Sequence, residues 1–471
     1  MGSTQDSVPI TWRNEASEAE YEQASVGRVF NMRRPTCRPR AVVHAANESH
    51  IVAAVKLAVQ QKCRVAVRSG GHSWAAWSVR EDSILIDLGN YHHIELDETN
   101  LMVCVSPSTT GKTLNGLLEK KGLMFAGGHC PDVGLGGFLL QGGMGWNCKN
   151  WGWACEQLLA IDVVNAQGEL VHCNTTENSE LFWCARGAGS GFPAVLTKFY
   201  LRVRPSPTHM LSTALFYPLS KYHEVMEWVI KISEGYDEDT EIVSVAATPP
   251  ADLGITEPCV TPLFVTFKNS VEEATAALKM ANETRPTGAL HELINHPTNL
   301  AEQYKNQADA NPENHRYCAE NAYISNDADV PAVLEKAFTT LPTSKAFSLW
   351  YAMHPCSRRQ LPDMAISLAT DHYFALYTVW EDESDDARCR KWVKDIMTDV
   401  ERHSDGSYLG DSDFQIRRTK FWKNENGRRL MELRRKLDPT GLICGYLDEG
   451  DRSGTAGLPN QEEWRQLRPS I

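Results

Sequence analysis

The amino-acid sequence predicts an α+β protein in two bodies, and three observations carry that prediction. Helix-like and strand-like periodicities alternate through the N-terminal third. The texture changes after Pro205 and Pro207, and a small, acidic stretch, Ser404–Asp413, sets a last helix apart. With 471 residues the chain is long enough for two or three domains, or for one large domain with a second built into it. Boundaries are therefore expected near Pro207 and near residue 405, with Ser404–Asp413 reading as a linker.

In the first body, Ile51, Val52, Val55 and Val59 recur at helical spacing between Ser49 and Gln61, behind a serine cap. The β-rich run Arg64–Arg68 follows and is broken by Gly70 and Gly71. Ser83–Leu88 and Met102–Ser106 read as further strands. Thr110–Lys121 reads as a helix stopped by Gly122, because glycine tolerates the left-handed conformation at a helix end. Leu158–Val164 and Glu169–His172 flank an Asn165–Gly168 turn and form a hairpin, and Ala194–Val203 is a strong strand. In the second body, Tyr222, Val225, Met226, Val229 and Ile232 mark one face of a helix over Lys221–Glu234. Pro262–Phe267 is a strand, and Ser270 with Glu273 forms the capping box of the helix after it. Phe347–Tyr351 and Tyr373–Trp380 read as buried strands, Ser384–Arg402 as an amphipathic helix, and Asn426–Leu437 as the last helix, ended by Asp438-Pro439.

Composition excludes several classes. Hydrophobic residues make up 42% and charged residues 23%, an ordinary globular balance that can bury a large core without disulfides. Lys and Arg number 47 against 60 Asp and Glu, leaving −13. Such a surface repels phosphate backbones and anionic lipid, so no nucleic-acid and no membrane partner is expected. No apolar run approaches the ~18 residues of a membrane span, and the polar Met1–Val8 lacks the core of a secretory signal. Asp6 breaks a myristoylation pattern. Thirteen cysteines then read as reduced thiols, and the sequons at Asn47, Asn174 and Asn282 carry little weight. The expectation is a cytoplasmic protein, monomeric or weakly homo-oligomeric.

Two glycine clusters hold the candidate chemistry. One is Val67-Arg-Ser-Gly-Gly-His-Ser73, directly after a strand; the other runs from Gly127 to Gly145, where eight of nineteen residues are glycine. Glycine is costly in regular structure, so this density implies a backbone wrapped closely against something flat or anionic, or else a ligand-free turn region. His72 and Cys130 each stand inside a wrap, where imidazole and thiolate are competent nucleophiles, although by residue type alone a structural histidine and a small buried cysteine are the commoner reading. Other sites fail on spacing. Ser106 replaces the first glycine of a P-loop, and Gly187-Ala-Gly-Ser-Gly191 follows a helix rather than the strand a dinucleotide fingerprint needs. Ser190 lacks the outer glycines of a nucleophile elbow, and His72, His129 and Cys130 have no C-x-x-C beside them to make a zinc site, so no metal is expected.

Arg68-Ser-Gly-Gly-His72-Ser resembles the histidine flavinylation motif of FAD-linked oxidases in the vanillyl-alcohol-oxidase superfamily. Cys130-Pro-Asp-Val-Gly-Leu-Gly-Gly137 with Gly142-Gly-Met-Gly145 is similar to the cysteine motif of its berberine-bridge-enzyme-like branch. Leu181–Gly191 and the helix at Arg429–Pro439 are similar to later signatures of that branch. The resemblance covers about Arg33–Arg204 and resumes near residue 406. It implies a two-part FAD-binding domain, 1–207 and 406–471, with an inserted α/β substrate domain at 208–405 built on an antiparallel sheet.

The resemblance further implies FAD attached twice, His72 to the 8α-methyl carbon and Cys130 to ring carbon 6. Arg68, Ser69, Gly70, Gly71 and Ser73 would line the cofactor from the first motif, and Val133, Gly134, Gly136, Gly137, Gly142, Gly143 and Gly145 from the second. Gly187, Val195 and Tyr408 would complete the set. The implied reaction oxidises a small secondary-metabolite-like molecule, with hydride passing to the flavin and O2 reoxidising it to hydrogen peroxide. An oligosaccharide or alcohol oxidase and a redox-neutral flavoprotein cyclase are the alternatives. Tyr377 is the first candidate for the base and Tyr351 the second, with Tyr373 and His354 behind them. Relatives often carry Tyr-x-Asn before the closing helix; here Tyr408-Leu-Gly410 stands in its place, and Ala365–Thr370 replaces a charged stretch, which points to a more apolar pocket.

Overall fold

A run such as Ile84-Leu-Ile-Asp87, apolar at nearly every position, has no solvent face to offer and must be covered on both sides. The structure, a computed structural model that describes residues 8–445 apart from 415 and 418, places it inside a first sheet. That sheet comprises β1 (Ile10–Trp12), β2 (Ala41–His44), β3 (Val65–Arg68) and β4 (Ile84–Asp87) in the order β1-β2-β4-β3. β2 and β3 run parallel to β4, and β1 is antiparallel to β2. The helix Glu48–Gln61 crosses from β2 to β3 and buries Ile51, Ala54, Val55 and Ala58; its cap is Asn47 rather than a serine, the amide oxygen accepting the His50 N–H.

A second sheet is antiparallel throughout, the pattern short connections allow. β5 (Ile94–Asp97) and β6 (Met102–Val105) precede a short β7 (Leu123–Met124), and β8 (Leu158–Val164), β9 (Leu170–Cys173) and β10 (Val195–Arg202) complete the order β5-β6-β10-β8-β9. The β8–β9 hairpin stands where the Asn165–Gly168 turn indicated. β11 (Arg204–Pro205) pairs with β7 as the chain leaves this body.

The described residues then form an eight-stranded antiparallel sheet. Its strands are β12 (Met210–Pro218), β13 (Thr240–Ala247), β14 (Cys259–Thr266), β15 (His291–Thr298), β16 (Arg316–Ile324), β17 (Phe347–Ala352), β18 (His372–Trp380) and β19 (Ser404–Gly406), in the order β15-β12-β14-β13-β17-β18-β16-β19. Side chains alternate between faces. Ile242, Phe264, Cys318, Trp350 and Phe374 bury under the helices Tyr222–Ser233, Val271–Thr284, Val330–Thr339 and Asp386–Val400. The opposite face carries Tyr317, Tyr323, Tyr351, Tyr373 and Tyr377, and these join the core of the first body. The helix Asn424–Leu437 returns there too, packing on the helix Ser179–Cys184.

Polar groups clamp the two bodies. Asn31 is fully buried; its amide donates to the carbonyls of Trp74 at 2.8 Å and Tyr317 at 3.0 Å and accepts the Tyr317 N–H at 2.9 Å. Arg33 donates to the Tyr317 carbonyl at 2.7 Å and pairs with Asp413, wholly buried, at 2.6 Å. Removing one partner of such a pair strands a charge away from water. Arg33→Ala is therefore expected to destabilise the protein by roughly 3–5 kcal/mol, read as a lowered urea midpoint with the denaturant slope unchanged.

Candidate active site

A cavity of about 1160 Å³ lies between the glycine loops of the first body and the tyrosine-bearing face of the large sheet. Two backbone contacts fix the wall formed by the glycine loops. Gly71, at φ +81°, passes so close to the Arg28 carbonyl that a Cβ would lie 1.8 Å from the oxygen. Gly70 and Gly134 face each other, and a Cβ on either would come within 2.5 or 2.7 Å of the other's amide nitrogen. Only glycine permits this approach. It brings His72, two residues after Gly70, and Cys130, four before Gly134, onto the same cavity.

The two side chains sit in different electrostatic settings. His72 stacks on Phe30 with ring centroids 4.4 Å apart, and burial lowers its pKa to about 4, so the imidazole is neutral and nucleophilic. Burial, with Asp411 and Asp132 adding to it, pushes the Cys130 thiol up to about 12. Ser69, Ser73, Val133, Gly136 and Gly137 also line the cavity.

Arg68 reaches its wall, but the guanidinium turns inward to Asp87 at 2.7 Å and to the carbonyls of Ala24 and Ser25, where it ties the first sheet to the N-terminal helix. Gly142, Gly143, Gly145, Gly187 and Val195 do not line the cavity. Their glycines serve protein packing: a Cβ at Gly187 would meet the Ile366 amide at 2.3 Å, and one at Gly145 the Ala126 carbonyl at 2.2 Å.

The opposite wall carries Tyr351 from β17 and Tyr373 and Tyr377 from β18. Tyr373 donates to Asp411 at 2.6 Å, and Tyr377 and the Trp74 indole stand close by that carboxylate. Burial nonetheless raises Asp411 above the usual carboxylate range, outweighing these neighbours. Burial also pushes Tyr377, Tyr373 and Tyr351 well above an ordinary phenol, so each is protonated at neutral pH. Tyr377 stacks on Phe347 at 4.5 Å, and Tyr351 meets the Cys148 sulfur at 3.3 Å. His354 does not line the cavity; it faces Lys149 and Asp371.

Asp411 is a residue that sequence reasoning missed. Ser404–Asp413 is no linker: it contains β19 and a loop in which Ser407, Tyr408, Leu409, Ser412 and Asp413 are buried. Tyr408 and Leu409 amid small acidic residues, just ahead of the closing helix, were the available signal. Tyr408 anchors the loop, its hydroxyl accepting the N–H groups of Gly143 at 3.1 Å and Met144 at 3.2 Å.

A second carboxylate meets the cavity at Glu241 on β13, 2% exposed, which accepts the Asn147 N–H and lies 3.4 Å from His129 Nε2. His129 rests against the Trp146 ring at 4.2 Å. Further along, Val243, Val245, Ala247, Leu263, Phe347 and Leu349 present an apolar floor, each half-exposed beside fully buried strand neighbours. Among the described residues, no three His, Cys, Asp or Glu side chains are grouped to hold a metal ion.

A family model described as an FAD binding domain matches residues 39–174. The chain is 36% identical to the FAD-linked oxidoreductase ptmO of Penicillium ochrochloron over 438 residues, 93% of this chain and 96% of that one. It is 32% identical to a xylooligosaccharide oxidase of Thermothelomyces thermophilus over 223 residues, 47% and 44% of the two chains. Its fold superposes on 6-hydroxy-D-nicotine oxidase from Arthrobacter nicotinovorans with a TM-score of 0.79 at 16% identity, covering 93% of this chain and 96% of the other.

The cavity fits FAD on its own evidence. It extends from the tyrosines past the Gly70–Gly134 contact to Leu196 and Ile443. At its wall the Ser190 hydroxyl oxygen is buried with no hydrogen-bond partner among the described residues. Because Tyr408 ties the cavity loop in place, Tyr408→Phe leaves two N–H groups without an acceptor. A loss of roughly 1–3 kcal/mol is expected, with faster hydrogen exchange at the Gly143 amide as the local readout.

Proposed function

Because this chain belongs to the family of FAD-linked oxidoreductases, we propose that it is an oxidase of an apolar, aromatic or alkaloid-like alcohol or amine, with FAD attached at both His72 and Cys130. The observation that carries this reading is the shared cavity: the two nucleophiles open onto the same space as an apolar floor and a carboxylate held by a phenol. When bound, FAD supplies the two-electron acceptor that takes a hydride from the substrate and returns the electrons to O2 as hydrogen peroxide.

The protein's own residues bind, orient and deprotonate. Val243, Val245, Leu263 and Leu349 hold an apolar skeleton, and the Phe347–Tyr377 stack supports a flat ring. That floor supports a hydrocarbon-rich substrate over an oligosaccharide, whose hydroxyls would find no partners on it. Tyr377 is too weak an acid to serve alone as a phenolate base. It passes a substrate proton to Asp411, which has the acceptor oxygen to receive it.

Both tethers and the base are testable. After acid precipitation, intact mass is expected to show FAD retained by His72→Ala and by Cys130→Ala, and lost only from the double variant; release of all flavin from the parent would refute the tethers. In Cys130→Ala apoprotein, attachment at His72 should persist as pH falls toward about 4, where its imidazole protonates. In His72→Ala, attachment at Cys130 should instead accelerate as pH rises, since a raised thiol pKa leaves little thiolate at neutral pH.

For the base, Asp411→Asn is expected to slow anaerobic bleaching of the flavin by substrate about 10²–10⁴-fold. A base must be ionised to work, so parent activity should fall as pH drops through the raised Asp411 pKa, above the ordinary carboxylate range. That acid limb should be missing in Asp411→Asn.

A further inference from the structure

We propose that this pocket carries a second, redox-neutral activity: His129, held by Glu241, moves a proton on the carbon next to a carbonyl group. The oxidase reading supplies the origin of that carbonyl, the product of alcohol oxidation, but the proton transfer itself does not depend on it.

This pair and the Asp411 cluster stand on different elements around one cavity, with His129 near enough to Asp411 to act on its charge. Glu241 stands on β13 and Tyr373 and Tyr377 on β18, with β17 between them. Two strand spacings place the backbones of these strands roughly 10 Å apart. The Glu241 side chain is 3% exposed and that of His129 25% exposed, so the carboxylate is hidden beneath an imidazole that the cavity can reach. Glu241 also accepts the Asn147 N–H, which fixes its position. Trp146 at 4.2 Å and the edge of Tyr351 at 6.5 Å fix the plane of the His129 ring. With Nε2 donating to Glu241, Nδ1 is the nitrogen left with a lone pair.

The chemistry balances without an added oxidant. His129 Nδ1 takes a proton from the carbon beside the carbonyl. The freed electron pair becomes the carbon–carbon double bond, and the carbonyl π pair moves onto oxygen. Glu241 stabilises the imidazolium that results. Tyr377, protonated at neutral pH, donates a hydrogen bond to the developing oxyanion. The proton then returns to the same carbon, or to one conjugated with it, and no electrons are gained or lost.

The test uses FAD-loaded enzyme under anaerobic conditions with two probes, 2-tetralol and 2-tetralone. Flavin bleaching by the alcohol reads oxidation; deuterium uptake by the ketone at carbon 1 in D2O, followed by mass spectrometry, reads proton transfer. The parent is expected to exchange the ketone faster than buffer does. In His129→Gln, and in Glu241→Gln, which leaves the imidazole in place, the ratio of exchange to bleaching is expected to fall about tenfold or more. Exchange without bleaching would sustain this proposal and sink the oxidase reading for such alcohols. Exchange no faster than buffer in the parent, or a ratio unchanged in both variants, would overturn it.

Discussion

The face-to-face contact of Gly70 and Gly134 is the constraint on which the rest of the site depends. Neither residue tolerates a side chain there, and each lies within a few residues of a nucleophile. The contact joins the loop after a parallel strand to a loop more than fifty residues later in the chain. A cavity with two reactive side chains on one wall follows from it, as does the need for a second body to close the other wall. The eight-stranded sheet meets that need by turning Tyr317, Tyr351, Tyr373 and Tyr377 inward and Ile242, Phe264, Trp350 and Phe374 out toward four helices.

Much of the first body was legible in the sequence because its signals are local. The capped helix before β3, the β8–β9 turn and the glycine density between Gly127 and Gly145 each declare themselves within a dozen or so residues. Of the strands in the second body only β14, β17 and β18 stood out. β15, His291–Thr298, is a polar edge strand, and β16, next to the other edge, carries Glu320 and Asn321 in the middle of its length. Their alternation is broken by side chains whose burial is made tolerable by partners far away in sequence, such as the Asn321 amide on the Tyr408 backbone. Periodicity cannot register a partner that folding has yet to bring near.

The same reason hid half of the candidate site. His72 and Cys130 were visible because glycines surround them, and the tyrosines because they fall on apolar strands. Asp411 and Glu241 resemble surface carboxylates in every local respect. Asp411 is recognisable only once Tyr373, thirty-eight residues earlier in the chain, reaches it. Acidic residues in a small-residue stretch are usually solvated, and here that rule gives way to the clamp of Arg33 on Asp413, which pulls the whole loop inside. Several glycines show the converse. Gly142 and Gly187 look like cofactor contacts in sequence, yet their missing side chains make room for Ile366.

An apolar cavity sharpens whatever polar groups it retains. Burying a carboxylate without partners costs several kcal/mol, so the protein can keep one there only by surrounding it with donors. Asp411 has the Tyr373 phenol; Glu241 has a backbone amide and an imidazole. The donors differ in a way that sets their chemistry. Asp411 stays basic because burial disfavours its charge by more than the Tyr373 bond and the nearby His129 favour it, which suits it to take a proton. Glu241 instead takes the N–H of the His129 ring, which leaves the lone pair on the other ring nitrogen. One cavity thus holds two buried acids with different partners, and the group the fold set against each decides which atom is left to take a proton.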